Sequence, residues 1–375
     1  MPLQPKRYIA GLKACAHGGL VYDELKSLSI SPDEILDFSV STNPFMPPPG
    51  LRDKMKDFAI ERYPDSQASV LRQRLAEKLR ISVENILAGS GTTEIIRLIA
   101  LAYFRQNDSV LILEPAYGEY EVACRIAGAR PVKYRAPEKD GFAPKLDNVI
   151  EIIRQRRPRA VFICNPNNPT GKYLSRADIE SIVEASGDTL LVLDEAYVAF
   201  VGKSWNSLDL TERGNVIVMR SMTKDYGLPG LRLGYAIAPK AIIDCLRLVL
   251  PPWNVNVIAQ EAGTAVLKEE EHLKESLGKV REAKIYLVEE LSRLGFSVTP
   301  SDAHYFLVKV GSASACRQAL LKYGIMVRDC TSFGLPEYVR ISPRTLPECE
   351  KLIVAMAKII NEGASWSCLP KLSKR

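Results

Sequence analysis

Three stretches of this chain are built alike: Val161-Phe-Ile-Cys-Asn-Pro-Asn-Asn-Pro-Thr-Gly171, Leu190-Leu-Val-Leu-Asp-Glu-Ala-Tyr197 and Val216-Ile-Val-Met-Arg-Ser-Met-Thr-Lys224. In each, four apolar and mostly branched residues run straight into a polar cluster. A continuous apolar run this short, without alternation, reads as a strand buried on both faces. Residues 110–113 make a fourth such run, and helical patterns at 118–127, 146–155 and 176–185 separate most of them. Strands alternating with helices specify a layered α/β domain with a mostly parallel sheet.

Outward from that block the texture changes. After Pro251 comes one long helical pattern, 257–294, broken at Gly295. Apolar runs at 305–310 and 338–341 and an amphipathic helix at 346–360 follow, an α+β texture. We therefore expect a large domain over 51–255, and a smaller one formed by 256–375 with the N-terminal segment 1–50. The last stretch, 363–375, reads as irregular. At 375 residues the chain is long enough for two such units of roughly 150 or more.

In open α/β sheets a ligand sits beyond the carboxyl ends of the strands. Three successive strand ends here present the Asn168 amide, the Asp194 carboxylate with the Tyr197 phenol, and Lys224 flanked by Ser221 and Thr223. A partly desolvated lysine at a strand end is suited to form a Schiff base with an aldehyde cofactor. A carboxylate beside it could hold a pyridinium nitrogen protonated, which makes the ring an electron sink. Asn168 and Tyr197 could both hydrogen-bond a ring oxygen. A phosphate asks for N–H groups at a helix N-terminus and a fixed cation. Gly89-Ser-Gly91-Thr92-Thr93-Glu94, leading into Ile95-Ile96, supplies the first, and Arg232 with Ser221 and Thr223 the rest. Alone, a glycine turn before a helix is common, and without Gly-Lys-Ser/Thr it is no P-loop. Taken together the residues describe a site for pyridoxal 5'-phosphate.

Composition removes other classes. The net charge of +6 is spread along the chain, with no basic stripe interleaved with aromatics, so nucleic acid is not an expected partner. No apolar run reaches the roughly 18 residues of a membrane span, and residues 1–19 lack a signal-like apolar core. A cytoplasmic location is the expectation. Eight cysteines without a Cys-x-x-Cys pair form neither a disulfide framework nor a zinc spacing, and three dispersed histidines predict no metal site.

Asn-Pro-Asn-Asn-Pro-Thr-Gly, Asp-Glu-Ala-Tyr, and Ser-x-x-Lys with an arginine eight residues on resemble the fold-type-I pyridoxal-phosphate enzymes of the class I/II aminotransferase superfamily. The resemblance runs from about His17 to Ile360. It implies that Lys224 is the Schiff-base lysine and proton shuttle, that Asp194 pairs with the pyridine nitrogen, and that Asn168 and Tyr197 hold the ring hydroxyl. It makes Tyr117 a stacking partner for the ring, and Gly91, Thr92, Thr93, Ser221, Thr223 and Arg232 the phosphate cup. Tyr63, in Arg62-Tyr-Pro-Asp65, would reach the cofactor phosphate of the neighbouring subunit in a homodimer. Arg340 matches the arginine that grips a substrate carboxylate.

Two subfamilies fit. Histidinol-phosphate aminotransferases share Arg62-Tyr-Pro-Asp65, Asn43-Pro44, Gly324-Ile-Met-Val-Arg328 and the segment 338–345. L-threonine-O-3-phosphate decarboxylases of the cobalamin pathway share most of these. They add His17-Gly18-Gly19, the pattern from Ser31 to Ser39, Pro252-Trp253-Asn254-Val255-Asn256, and Pro229 before Gly230. Leu20 and Met46 depart from the decarboxylase pattern. The balance favours decarboxylation of L-threonine O-3-phosphate to (R)-1-aminopropan-2-yl phosphate; the alternative is a histidinol-phosphate type of aminotransferase using 2-oxoglutarate. Either way the substrate is a phosphorylated amino acid or amine. Arg328 matches the residue expected on its phosphate, with His17, Asn43 and Arg344 nearby in the same reading.

Overall fold

The computed structural model describes residues 3–6, 8–12, 14–55 and 61–362. The stretch from Gly363 onward, including Cys368, lies outside the described residues. Among the described residues, no helix is long and apolar enough to cross a membrane.

A seven-stranded sheet organises the first two-thirds of the chain. Its strands lie side by side in the order Ile86–Gly89, Gly234–Ile237, Val216–Ser221, Leu190–Asp194, Ala160–Cys164, Ser109–Glu114 and Arg130–Arg135. The four expected apolar runs are thus neighbours, and all pair in parallel. Their side chains alternate between faces. Val161, Leu191 and Val218 join Ile153 and Ile179 on one side; Phe162, Val192 and Ile217 join Ile95 and Ile99 on the other. Burial on both faces is why these strands read as unbroken apolar runs.

Three strands of this sheet carry no such signal. Arg130–Arg135 closes one edge half-exposed and reads as Arg-Pro-Val-Lys-Tyr-Arg. Ile86–Gly89 and Gly234–Ile237 are four residues each, and the latter runs antiparallel to both its neighbours. The register levels the strand ends: Cys164 pairs with Asp194, and Asp194 with Met219. The chain beyond each end therefore opens onto the same side of the sheet.

A second, antiparallel sheet holds Ser297–Val298, Phe306–Lys309, Tyr338–Ile341 and Arg328–Asp329. Helices Glu270–Arg293 and Leu346–Asn361 cover it through Leu287, Leu291, Leu352 and Met356. Leu36–Asp37 pairs in parallel with Ile325–Met326, which ties the N-terminal segment to this half. Two expectations are corrected. The pattern at 257–294 is two helices, Val257–Val266 and Glu270–Arg293. Leu267, at the break, turns into the core beneath the large sheet, so the apolar rhythm continues while the helix does not. The strand expected from Tyr305 begins at Phe306: the Tyr305 carbonyl accepts from Ser301 Oγ at 2.5 Å instead of a ladder partner, and its hydroxyl donates to the Asn167 carbonyl at 2.9 Å.

Candidate active site

A cavity of about 570 Å³ lies beyond the levelled strand ends. Asn168, Asp194, Tyr197, Ser221, Thr223 and Lys224 all line it, so the three strand-end clusters do converge. Asp194 ends a strand buried along its whole length. Its Oδ2 accepts the Tyr120 hydroxyl at 2.7 Å and its Oδ1 the Ala196 N–H at 3.0 Å. Burial pushes its carboxyl above the usual range, while those two hydrogen bonds and the charge of Lys224 pull the other way. A carboxylate so short of water is stabilised by a cationic partner placed against it.

Lys224 sits three residues past strand Val216–Ser221, with its Nζ 5.6 Å from the centre of the Tyr197 ring. Burial, then repulsion from Arg340 and Arg232, lowers its pKa to about 8. The lowered pKa raises the fraction of neutral amine near physiological pH, which is the form a Schiff-base nucleophile needs.

The anion cup is equally specific. Gly91, at φ +78°, leads into helix Thr92–Tyr103. A β-carbon on Gly91 would come within 2.8 Å of the Arg232 guanidinium, and one on Gly234 within 2.9 Å of the Thr92 amide nitrogen. Both glycines are required by close approach. They bring a guanidinium up to the N-terminus of a twelve-residue helix, whose amides and dipole favour an anion. Ser221 Oγ and Thr223 Oγ1, 2.8 Å apart, complete the rim. Thr93 Oγ1 lies 3.1 Å from the Tyr117 hydroxyl, whose pKa burial raises to about 12.

The opposite wall comes from the second sheet. Arg328 and Arg340 face each other across paired strands, so both guanidiniums leave the same face. Arg340 donates to Asn168 Oδ1 and to the Ser39 carbonyl at 2.9 Å, and lies 5.0 Å over the Tyr305 ring. Its Nε is buried without a partner.

Several expected substrate contacts are corrected. Arg328 lines the cavity, but its guanidinium donates to the His17 and Ala16 carbonyls at 2.6 and 2.7 Å and to Ser332 Oγ at 2.8 Å. Only part of its donor fork is left for a substrate. Asn43 does not line the cavity. Its amide donates to the Asp225 carbonyl and to Ser276 Oγ, and its own N–H to the Lys224 carbonyl at 2.8 Å. It seats the lysine rather than the substrate. Arg344 is likewise engaged elsewhere, with Glu348 and the Asp37 carbonyl. His17 reaches the rim, its Nε2 3.4 Å from Glu119 Oε1. Tyr63 is 78% exposed, stacked on Trp253 at 4.2 Å, and absent from this chain's cavity lining. Tyr120 escaped the sequence reading. As a helix residue it looks like core, and the available signal was that a buried tyrosine needs a partner for its hydroxyl.

The donor set fits pyridoxal 5'-phosphate: a lysine of lowered pKa, a buried carboxylate with no ion pair among the described residues, and a glycine-lined cup beside Arg232. Fold and site together define an enzyme that works with that cofactor. Residues 33–356 match the family model described as aminotransferase class I and II, and the chain belongs to that family. Among its relatives, the histidinol-phosphate aminotransferase of Moorella thermoacetica is 33% identical over 94% of this chain and 92% of its own. The solved histidinol-phosphate aminotransferase of Clostridium acetobutylicum superposes with a TM-score of 0.80 at 27% identity, over 88% of this chain and all of that one. The solved L-threonine-O-3-phosphate decarboxylase of Porphyromonas gingivalis does so with 0.76 at 29% identity, over 86% and 99%.

Proposed function

We propose that the protein transfers an amino group between a phosphorylated amine of the histidinol-phosphate kind and a 2-oxo acid such as 2-oxoglutarate. The observation that carries this reading is the near-full-length likeness to a histidinol-phosphate aminotransferase in a chain whose cavity is lined by Asn168, Asp194, Tyr197, Lys224 and Arg232 together.

This sets aside the preference for decarboxylation drawn from four short features, of which Pro229 opens a 3-10 turn and the other three also have work to do in the fold. A β-carbon on Gly18 would come within 2.6 Å of the Ser39 carbonyl oxygen, so the His17-Gly18-Gly19 turn serves close packing. Ser31 takes part in a capping box with Glu34, and Asp37 accepts from the Ser39 N–H and hydroxyl. Asn254 donates to Glu94, and Asn256 caps helix Val257–Val266. Such jobs are compatible with either reaction. Decarboxylation of threonine phosphate stays as the second reading, supported by the likeness to the solved decarboxylase.

In this proposal the bound cofactor supplies an electron sink beside the substrate Cα. Lys224 takes and returns the proton at that carbon, and Asp194, held by Tyr120, keeps the ring nitrogen protonated. Asn168 and Tyr197 fix the ring oxygen, and Tyr117 lies on the ring face. Gly91, Thr92, Thr93, Ser221, Thr223 and Arg232 hold the phosphate. Arg340 takes a carboxylate of the amino donor or acceptor, and Arg328 with His17 bounds the end that takes the substrate phosphate. We further propose a cytoplasmic homodimer in which the exposed Tyr63 reaches the partner's cavity. Each chain would divide into a 51–255 domain and a smaller one that meets it over the site.

The test is to incubate holoenzyme with histidinol phosphate and 2-oxoglutarate and, separately, with threonine phosphate, measuring glutamate and CO2. Glutamate in the first mixture supports transamination. CO2 in the second without glutamate in the first transfers the assignment to the decarboxylase. Neither product overturns both.

A further inference from the structure

Residues 15–18 of the N-terminal segment line the cavity and are seated by close contacts. Arg328 holds the carbonyls of Ala16 and His17, and Gly19 donates its N–H to Ser39 Oγ at 2.8 Å. A β-carbon on Gly118 would lie 2.5 Å from Cys15 Sγ, so that glycine makes room for the thiol. The seating brings Cys15 and His17 over the first residue of helix Glu119–Ile126. There the Cys15 sulfur, a His17 ring nitrogen and a Glu119 carboxylate oxygen all lie within 4.8 Å of one another.

We propose that Cys15, His17 and Glu119 form a site for a zinc-class divalent metal ion, which pins the N-terminal segment at the cavity and slows substrate exchange. Thiolate, imidazole and carboxylate are the donor types such ions take. The 3.4 Å between His17 Nε2 and Glu119 Oε1 matches the edge of a tetrahedron whose metal–ligand arms are about 2.1 Å. The Cys15 sulfur has weak partners, the Ala16 carbonyl at 3.6 Å and the Gly118 N–H, so swinging it onto a metal breaks no strong bond. Glu119 Oε2 accepts Arg97 Nη2 at 2.6 Å, which leaves Oε1 for the ion and orients the carboxylate as an outer hydrogen bond orients a metal ligand. On binding, the Cys15 S–H proton passes to solvent and a sulfur–metal bond replaces it. Three protein ligands leave a fourth position for water. The sequence showed nothing of this, because Cys15-Ala-His17 lacks a metal spacing and Glu119 lies about a hundred residues away.

The experiment titrates the holoenzyme with zinc by equilibrium dialysis and with cobalt as a spectroscopic stand-in, following turnover alongside. We expect one zinc per chain, turnover that falls with occupancy and returns with chelator, and cobalt d–d bands of a sulfur-bound tetrahedral site. Cys15→Ser should weaken zinc binding at least about 100-fold and erase the bands, while metal-free turnover is kept. Glu119→Gln should also weaken binding. Cys245→Ser, at the other partly exposed thiol among the described residues, should change nothing. Equal zinc affinity in wild type and Cys15→Ser would overturn the site. Zinc bound without loss of turnover would overturn the pinning. Dialysis and the cobalt spectrum do not depend on which reaction the enzyme runs, so their failure is separable from a failure of the functional reading.

Discussion

Asn168, Asp194 and Lys224 leave the ends of three adjacent parallel strands, each within five residues of its strand. Arg328, Arg340 and His17 reach the same cavity from a second sheet and from the N-terminal segment, and their guanidiniums are tied to Ala16, His17, Ser39 and Asn168. The floor is therefore held by one continuous hydrogen-bonded sheet, and the wall opposite by contacts between remote parts of the chain. Chemistry that tolerates little positional error belongs on the floor. Opening, closing and choice of substrate belong to the wall, where a few polar contacts can be exchanged at modest cost. Substitutions on the two sides should accordingly differ in kind: floor changes should lower kcat, and wall changes should raise KM or alter seating.

The largest effect is expected at Lys224. On the proposed roles Lys224→Ala removes nucleophile and proton shuttle together, and we expect turnover to fall by more than about a thousand-fold while some cofactor stays bound through Asp194 and Arg232. Borohydride should attach the cofactor to Lys224, and peptide mapping that found it elsewhere would break the comparison at its root. The pH dependence has a definite sign. Below about 8 the amine is mostly protonated and cannot attack; above it the amine is neutral. Cofactor capture by the apoenzyme should thus accelerate as pH rises through about 8, followed by the growth of cofactor absorbance.

Next comes Asp194. An amide cannot keep the ring nitrogen protonated, so Asp194→Asn should cost at least about 100-fold in kcat, or about 2.7 kcal/mol. Tyr120→Phe leaves the carboxylate but removes its 2.7 Å hydrogen bond, and should cost about tenfold, as outer hydrogen bonds to a working group usually do. A near-wild-type rate for Asp194→Asn would show that the ring is protonated from another side.

On the wall, Arg328→Ala should act through substrate binding. Losing a part-buried guanidinium with three hydrogen bonds should cost on the order of 2 kcal/mol. We expect this mostly as a higher KM, with discrimination between phosphorylated and unphosphorylated substrates reduced. A lower kcat with unchanged KM would mean that Arg328 belongs functionally with the floor.

The same division explains what could be read beforehand. The floor was legible because double-sided burial writes itself as unbroken apolar runs, and the residue after each run is where a ligand meets the sheet. The wall was reached only through the family resemblance, which named Arg328, Arg340 and His17; Arg328 finds partners 311 and 312 residues away and Arg340 partners 172 and 301 away, and no spacing rule spans those distances. Asn43 shows how resemblance can assign a residue to the wrong neighbour. Its pattern placed it at the site, and it is beside the site, but its side chain faces Asp225 and Ser276. Tyr120 fails in the opposite way: a functional hydroxyl on a ring that packs as core on Phe162, 4.8 Å between centroids.

The smallest predicted effect is the sharpest on where the boundary between the two regions runs. Asn43 comes from the N-terminal segment, yet it binds the floor: its N–H holds the Lys224 carbonyl and its amide spans Asp225 and helix Glu270–Arg293. Asn43→Ala keeps the first contact, which is backbone, and removes the two that its side-chain amide donates. At about 0.5–1.5 kcal/mol net for each bond, the loss should be about 1–3 kcal/mol of stability, read as a lower denaturation midpoint with unchanged slope. Because no side-chain atom of Asn43 lines the cavity, KM should stay near wild type. Any fall in kcat should be small, since strand Val216–Ser221 still positions Lys224. Asn43→Asp separates seating from simple packing. It keeps the shape and the acceptor for the Phe45 N–H but cannot donate to the Asp225 carbonyl, so it should destabilise at least as much as alanine. A tenfold rise in KM with unchanged stability in either variant would return Asn43 to the substrate and move the edge of the wall inward by one residue.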